Sequence, residues 1–534
     1  MTAVGGAGTM IVELAAVRLL APWFGTSLVV WTNVIAVVLL ALALGYLAGG
    51  RLAGGEKPLE RLGWILVVAG PIVAWAPAVS APLARFVLPA ELGLDEAAGL
   101  VLWGSLAVSL VLFLPPATLL GAVSPLAVEA VARLDERSAG SAGGRVLAAS
   151  TLGSLIGVFG TSHTLLPTLG LTGTFLLASV FLVIAGVSAL KLSRSLRLLP
   201  LVAAALPWSA AVGWGITDGG PFAAALGPDP PAGWKLLARA ESPYQSIRVV
   251  EEPASADFGP MRYLQVNEAF DSFQSVWQPA PGLLPTGFYY NGFALPPHWS
   301  RAQGPWSVLV LGLGAGTAVR VLEGAAPDGC RPEYVGVELD PRVVELATRH
   351  MGLPPDDDRH AFYAGLDARV ATRALGRSFD QIVLDCYANQ VEIPAHLCTV
   401  EFFQELRTRL VAGGWLCVNL GGFGFDDPLV RAVARTAARG FEAPVLLVAV
   451  PRSRNFVLFA RHQGELPLSD GGTEPVAGAV GSLLAPLALP GFVQIVEADA
   501  EGLVLRDDLA PVELLQQLSI AEGQRRRRGG GDSG

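Results

Sequence analysis

Trp306-Ser-Val-Leu-Val-Leu311, Gly312-Leu-Gly-Ala-Gly316 and Thr317-Ala-Val-Arg-Val-Leu322 follow one another without a break. An apolar run, a glycine turn and a short helical stretch predict strand, turn, helix. A second apolar run, Tyr334-Val-Gly-Val337, ends in Glu338-Leu-Asp340-Pro341, which puts a carboxylate 26 positions after the first glycine. A third, Phe379-Asp-Gln-Ile-Val-Leu384, stops on Asp385. Glycines let the backbone turn sharply and approach a ligand, the helix that follows offers unpaired N–H groups, and a carboxylate ending the next strand can accept both hydroxyls of a ribose. The passage therefore predicts a doubly wound, Rossmann-like α/β domain over 305–460 with an adenosine site at Gly312, Gly314, Gly316 and Glu338. A glycine turn alone is common; the strand before it, the helix after it and Glu338 together make the signal specific.

Outside that domain the composition changes. The chain has 534 residues, 52% hydrophobic and only 16% charged, with a mean hydropathy of +0.49. Such a balance is unusual for a soluble enzyme of this size and assigns part of the chain to lipid. Seven apolar stretches, roughly 3–22, 28–49, 63–83, 99–121, 146–166, 171–190 and 197–216, each approach the ~20 residues that cross ~30 Å of hydrocarbon. The first lacks a basic leader and is followed at once by a second, so a retained span is expected rather than a signal peptide. Residues 1–216 hold 11 Lys/Arg and 9 Asp/Glu, leaving 26 and 37 of the totals 37 and 46 for the remainder; the two parts carry +2 and −11. Residues 217–304 read as a Pro/Gly linker and a small antiparallel sheet built from Ile247-Arg-Val-Val250 and Met261-Arg-Tyr-Leu-Gln-Val266. Residues 461–534 read as a Gly/Pro-rich stretch, a strand–helix piece and the basic tail Arg525-Arg-Arg-Arg528.

Several stretches carry a family resemblance: Ser242-Pro-Tyr244-Gln245, Val337-Glu338-Leu339-Asp340-Pro341, Asp367-Ala368-Arg369, Phe379-Asp380 through Asp385, Thr399-Val-Glu-Phe-Phe403 and Arg506-Asp507-Asp508. In the apolar part they are Glu13 with Arg18-Leu-Leu-Ala-Pro22-Trp-Phe-Gly25, Leu44-Gly45 to Arg51, and Pro115-Pro to Pro125. With these the chain resembles the membrane-fused spermidine synthase-like (polyamine aminopropyltransferase) family, over nearly its whole length. The resemblance implies transfer of an aminopropyl group from decarboxylated S-adenosylmethionine to a small-molecule amine, without a metal. It implies Asp385 and Tyr244 as catalytic residues, Gln245, Gly312, Gly314, Gly316, Glu338, Asp367 and Ala368 around the nucleoside, and Tyr289 and Tyr290 closing over the substrate. A homodimer is likewise expected by resemblance.

The chain departs from that family at Ala315 and Ala388, where spermidine synthases carry acidic residues, and at Asn267-Glu268 and Asp271. A neutral residue at 315 repels the carboxylate of intact S-adenosylmethionine less than an aspartate would, so an S-adenosylmethionine-dependent methyltransferase is the alternative. A third possibility is a transporter or sensor gated by a degenerate nucleoside domain, whose signature would be several intramembrane charges; beyond Glu13 and Arg18 there are few. Those two are expected to form a structural pair or to snorkel, and His163 to be a lone hydrogen-bonded histidine. The acidic catalytic part argues against nucleic acid as a partner.

The expected location is the plasma membrane, with the catalytic part cytoplasmic because its sulfonium co-substrate is made there. Basic residues follow spans two (Arg51, Lys57, Arg61), four (Arg133, Arg137, Arg145) and six (Lys191, Arg194, Arg197). The positive-inside rule places those ends in the cytoplasm, and a full seventh span would then put the catalytic part outside. Pro200, Pro207 and the glycines after residue 212 make a re-entrant or interfacial seventh element one alternative, and an eighth membrane element is another. Cys330, Cys386, Cys398 and Cys417 have no C-x-x-C spacing and signal neither a disulfide framework nor zinc.

Overall fold

The computed structural model describes residues 1–24, 28–87, 94–134, 138–195, 205, 208–213, 230–242, 244–255, 259–267, 273–387, 393–467 and 491–530. Ala388, Glu268, Asp271, most of the predicted seventh span and most of the predicted linker lie outside the described residues. The chain divides into two compact units. One comprises Met1–Asp229 with Glu241–Ser246 and Asn267–Asp271, the other Pro230–Ala240, Ile247–Val266 and Ser272–Gly534.

The helical unit contains α1 (Thr2–Phe24), α2 (Leu28–Ala53), α3 (Pro58–Val87), α4 (Leu94–Leu134), α5 (Ala139–Gly160) and α6 (Leu166–Leu192). All six are long and apolar enough to cross a membrane. They coincide in order with the first six predicted stretches but overrun them, most of all α4, whose 41 residues continue well beyond the apolar window. Small residues let helix backbones approach closely. A Cβ at Gly45 would stand 2.3 Å from the Thr118 carbonyl, which is how α2 and α4 come together. His163 lies in a π-helical turn, Thr161–Leu165, with Nδ1 3.2 Å from the Phe159 carbonyl. That is the lone hydrogen-bonded histidine expected. Of the seventh stretch, residues 208–213 pack midway along α3 and α6: Trp208 Nε1 donates to Ser179 Oγ at 3.1 Å, and Ala211 meets Ala74, Ala78 and Leu176.

The second unit begins with a four-stranded sheet in the order β1-β2-β3-β4, from β1 (Lys235–Glu241), β2 (Ser246–Glu252), β3 (Met261–Val266) and β4 (Ser275–Trp277). β2 and β3 are antiparallel with Ile247 opposite Val266, as the alternation of apolar residues predicts. A 3-10 turn, Tyr289–Ala294, and the short α7 (Leu295–Trp299) lead into the large domain. There the elements run β5 (Gly304–Leu311), α8 (Thr317–Ala325), β6 (Cys330–Glu338), α9 (Pro341–His350), β7 (His360–Ala364), α10 (Ala368–Ala374) and β8 (Phe379–Leu384). They continue with α11 (Val400–Thr408), β9 (Leu410–Gly421), α12 (Pro428–Phe441), β10 (Val445–Ala449), β11 (Asn455–Arg461), β12 (Val493–Val496) and α13 (Val512–Gly530).

The eight strands form one sheet in the order β12-β10-β11-β9-β8-β5-β6-β7. β7, β6, β5, β8 and β9 are parallel, and β11, β10 and β12 join antiparallel at one edge. Alternate residues of β5 serve opposite faces. Val308 and Val310 pack with Val319, Leu322 and Tyr334, while Leu309 and Leu311 pack with Ile382, Leu384, Phe402 and Phe403. A parallel sheet needs both faces covered, and its strands accordingly read as unbroken apolar runs. The chain winds from β5 to β6 in one direction and from β5 to β8 in the other, so the crevice at the carboxyl ends of β5 and β8 is the switch point where such sheets bind ligands.

The strand of the C-terminal piece, β12, is the outer strand of this sheet. Arg369, 7% exposed, donates to Glu405 Oε1 and to both carboxylate oxygens of Asp507 at 2.7–3.1 Å. Thr399 Oγ1 adds a bond to Asp507 Oδ1 at 2.7 Å. The Arg369 hydrogen bonds lead in holding the Asp507 carboxyl down at about 2, against a smaller opposing effect of burial. Two stretches that carry the resemblance, 138 residues apart, thus meet in one ionic network.

Candidate active site

β5 ends at Leu311, and the next five residues turn back under three glycines with φ of +82°, +53° and +79° at Gly312, Gly314 and Gly316. These are left-handed conformations that a side chain resists. Space forbids one as well: a Cβ at Gly312 would lie 2.3 Å from the Asp385 carbonyl oxygen, and one at Gly314 2.4 Å from Ser275 Oγ. The loop is clamped from one side by β4. Ala315 N–H donates to Ser275 Oγ at 2.9 Å, Val276 N–H to Thr317 Oγ1 at 3.0 Å, and Arg320 to the Gln278 carbonyl at 2.7 Å. From the other side β6 holds it, with Gly312 and Leu313 N–H both on the Val337 carbonyl.

Glu338 ends β6 beneath the loop. Its Oε2 accepts Gly314 N–H at 2.9 Å and its Oε1 accepts Asp340 N–H at 3.1 Å. A carboxylate accepts about four hydrogen bonds, so Glu338 retains capacity for a hydroxyl donor. Burial pushes its carboxyl up, the backbone N–H groups of Asp340, Gly314 and Leu339 oppose that, and the Asp340 charge adds to it. Asp340, between loop and helix, caps α9 through Arg342 N–H at 3.0 Å. Asp367 caps α10 by accepting Arg369 and Val370 N–H, and its other oxygen lies 3.0 Å from His396 Nε2. Burial raises its carboxyl, but the His396 and backbone bonds outweigh that and hold it low. Ala368 is the first buried residue of α10.

Asp385 stands where β8 stops. Its side chain accepts Asn419 Nδ2 on Oδ1 at 2.9 Å and the Tyr289 hydroxyl at 3.2 Å and 3.0 Å to Oδ1 and Oδ2. Burial pushes its carboxyl up to about 7; the Asn419 and Tyr289 bonds oppose, and the Glu338 charge adds. Tyr289 itself is pushed well up, first by burial and then by Asp385 and Tyr290, so its phenol keeps its proton and donates. Gln381, wholly buried in β8, donates to the Phe293 carbonyl at 2.8 Å and accepts Trp306 Nε1 at 3.1 Å, which fixes the 3-10 turn bearing Tyr289 against the sheet.

The two tyrosines separate in role. They stack with ring centroids 4.1 Å apart, but Tyr290 donates its hydroxyl to the Gln274 carbonyl at 2.7 Å, while Tyr289 donates to Asp385. Tyr244, 43% exposed, and Gln245 lie on the turn between β1 and β2, which groups with the helical unit; Ser242 Oγ accepts both of their backbone N–H groups. The structure thus brings together Gly312, Gly314, Gly316, Glu338, Tyr289 and Asp385. Asn419 and Ser275 are additions. Asn419 had a visible signal, a lone amide in the buried strand run Trp415-Leu-Cys-Val-Asn419-Leu420; Ser275 had none. Among the described residues no group of three or more His, Cys, Asp or Glu is placed to hold a metal ion.

No protein-family model matches the chain. The polyamine aminopropyltransferase of Vibrio vulnificus is 33% identical over 221 residues, 40% of this chain and 70% of that protein. The chain belongs to the polyamine aminopropyltransferase family. A second aminopropyltransferase, "Polyamine aminopropyltransferase 1" of Streptomyces coelicolor, is 27% identical over 486 residues, 86% of this chain and 82% of that protein. That share is more than the α/β unit alone can supply, so the similarity takes in helical sequence. The "Probable polyamine aminopropyl transferase" of Bifidobacterium longum is 28% identical over 286 residues, 48% of this chain, and the matched part spans 61% of that relative's length.

Proposed function

We propose that this family member is a membrane-bound aminopropyltransferase, moving the aminopropyl group of decarboxylated S-adenosylmethionine to an amine acceptor at the carboxyl ends of β5 and β8. The observation that carries the proposal is Asp385, whose carboxyl stands at the switch point between Asn419 and Tyr289 and is pushed up to about 7 by burial. An amine attacks only when unprotonated, and a carboxylate that accepts a proton near neutral pH is matched to that task. The nitrogen lone pair forms a bond to the aminopropyl carbon, the carbon–sulfur bond breaks with its electrons going to sulfur, and methylthioadenosine leaves. The proton released by the nitrogen goes to Asp385. The glycine loop fits a nucleoside because no Cβ fills it, and Glu338 would receive the ribose. By resemblance Asp367 and Ala368 would lie at the adenine, while Tyr290 would help close over the substrate.

Ala315 favours a second reading. It is buried in the glycine loop and presents no negative charge, so the carboxylate of intact S-adenosylmethionine is not repelled there, as methyl transfer requires. Isothermal titration of the detergent-purified protein with decarboxylated S-adenosylmethionine, S-adenosylmethionine and methylthioadenosine separates the two. The decarboxylated form is expected to bind tightest, and Glu338→Ala to weaken it about 100-fold or more, since two charge-assisted bonds at ~1.5–3 kcal/mol each are lost. Tighter binding of intact S-adenosylmethionine would move methyl transfer to first place.

The six long apolar helices support residence in a bilayer, and we place the α/β unit on its cytoplasmic side with the sulfonium's supply. Gly376→Cys puts a thiol where nothing lies within 4 Å. An impermeant maleimide is expected to label it in inverted vesicles and not on intact cells; labelling of intact cells would reverse the orientation.

A further inference from the structure

Behind Asp385 runs a line of polar groups unrelated to the nucleoside cradle. Asn419 Nδ2 donates to Asp385 Oδ1 at 2.9 Å, Asn455 Nδ2 donates to Asn419 Oδ1 at 2.8 Å, and Ser453 Oγ donates to Asn455 Oδ1 at 2.8 Å. Ser453 Oγ in turn accepts the Asn455 backbone N–H at 3.2 Å. The line crosses from β9 to β11 and ends on the turn before β11, with Asn419 only 3% exposed. Every link points its donor toward the carboxylate.

We propose that Ser453, Asn455 and Asn419 are positioning residues for the Asp385 reaction: a one-way relay that holds Oδ1 with an N–H donor and leaves Oδ2 to take the acceptor's proton. The direction follows from chemistry. A primary amide donates from one end and accepts at the other, so the orientation of one asparagine dictates that of the next. Reversing the line would turn the Asn419 carbonyl onto the Asp385 carboxylate, oxygen against oxygen, which is tolerable only if Asp385 carries a proton. The observed direction therefore favours the charged base, and aligned hydrogen bonds in a low-dielectric interior strengthen one another. Oδ1 takes the Asn419 bond and the longer of the two Tyr289 contacts, while Oδ2 takes the Tyr289 contact alone. The other titratable groups that bear on Asp385 are Tyr290, Glu338, Cys386 and Tyr387. Glu338 opposes ionisation. Tyr387 donates its hydroxyl to the Asn419 carbonyl at 2.9 Å, and so steadies the relay's backbone rather than the carboxylate.

The inference rests on Asp385 being the base, and its test does not require turnover. The full-length protein in detergent, labelled with ¹³C-aspartate, is titrated by infrared difference spectroscopy, with Asp385→Asn subtracted to isolate the Asp385 carboxylate band. Loss of one hydrogen bond to a buried carboxylate is expected to raise its midpoint by about one pH unit in Asn419→Leu. Asn455→Ala is expected to raise it by less, because Asn419 remains but is free to flip. Ser307→Ala, whose hydroxyl serves Asp380 at the opposite end of the sheet, is expected to leave it unchanged. Should Asn419→Leu fold poorly, Asn455→Ala and Ser453→Ala on the more accessible turn decide the matter. The pH profile of transfer should move with the infrared midpoint. A midpoint unmoved in Asn455→Ala and Ser453→Ala overturns the relay. Variants that titrate as expected in a protein that transfers no aminopropyl group support the relay and sink the enzymatic reading instead.

Discussion

Asp385→Asn is expected to lower the rate of aminopropyl transfer about 10²- to 10⁴-fold, the range for losing a positioned general base, with nucleoside binding retained. The amide fills the same volume and can meet Asn419 and Tyr289 after a rotation, so the loss is one of chemistry rather than shape. In the parent enzyme, transfer should rise as pH passes through about 7, where Asp385 gives up its proton. The variant's residual rate should lack that limb. The same group sets a sign on stability. Its carboxyl titrates near 7 when folded against about 3.9 when unfolded, so between those values the folded state holds a proton that the unfolded chain has released. The stabilisation from that proton is present below about pH 4 and is lost as pH rises through about 7. Asp385→Asn removes this dependence and should melt above the parent at pH 8, with the gap closing at pH 4. A variant that is inactive yet more stable at alkaline pH marks a group kept for function at a cost to the fold.

Gly312→Ala is expected to be as damaging by a different route. The added methyl would stand 2.3 Å from the Asp385 carbonyl oxygen, 2.7 Å from its carbon and 3.0 Å from Cys386 N, all backbone atoms just past the carboxyl end of β8. The residue's φ of +82° adds strain whatever the space. Strain of ~1–3 kcal/mol and overpacking of ~1–3 kcal/mol place the cost at about 2–6 kcal/mol. Any relief shifts Asp385 away from the glycine loop, so binding and transfer both fall. Gly376→Ala, on an open surface with nothing within 4 Å, should stay within about 0.5 kcal/mol of the parent. Thermal melts of the two variants beside nucleoside titrations measure the contrast.

Why Gly312 and Asp385 were legible together is now clear in physical terms. β5 and β8 are neighbours in the sheet, and both end in residues whose types are dictated by what happens at a strand's carboxyl end: no side chain in one place, a carboxylate in the other. The apolar runs of Trp306–Leu311 and Phe379–Leu384 could be read because strands buried on both faces carry little else. The six long helices were legible for a related reason, since each is apolar along most of its length, but their ends were not. Ala122 to Leu134 continues α4 beyond the apolar window by packing Val123, Leu126 and Ala127 into the helical core between polar residues, a pattern that a hydropathy window averages away.

What was not legible is the set of contacts made across distance. Nothing near Tyr289 and Tyr290 distinguishes the tyrosine that reaches Asp385 from the one that bonds the Gln274 carbonyl; a 3-10 turn held by Gln381 makes that choice. Asn455 and Ser453 look like ordinary turn residues until β11 is laid against β9. The joining of β12 to the edge of the sheet likewise depends on pairing with β10, over a tract whose composition reads as loop.

The acceptor amine is expected to take a three-carbon group from a decarboxylated sulfonium at Asp385. The most direct measurement is product identification by mass spectrometry after the purified full-length protein is incubated with a panel of amines and an equal mixture of decarboxylated and intact S-adenosylmethionine. Methylthioadenosine and an amine heavier by one aminopropyl group, both absent with Asp385→Asn, are the expected result. S-adenosylhomocysteine with a methylated amine would contradict it.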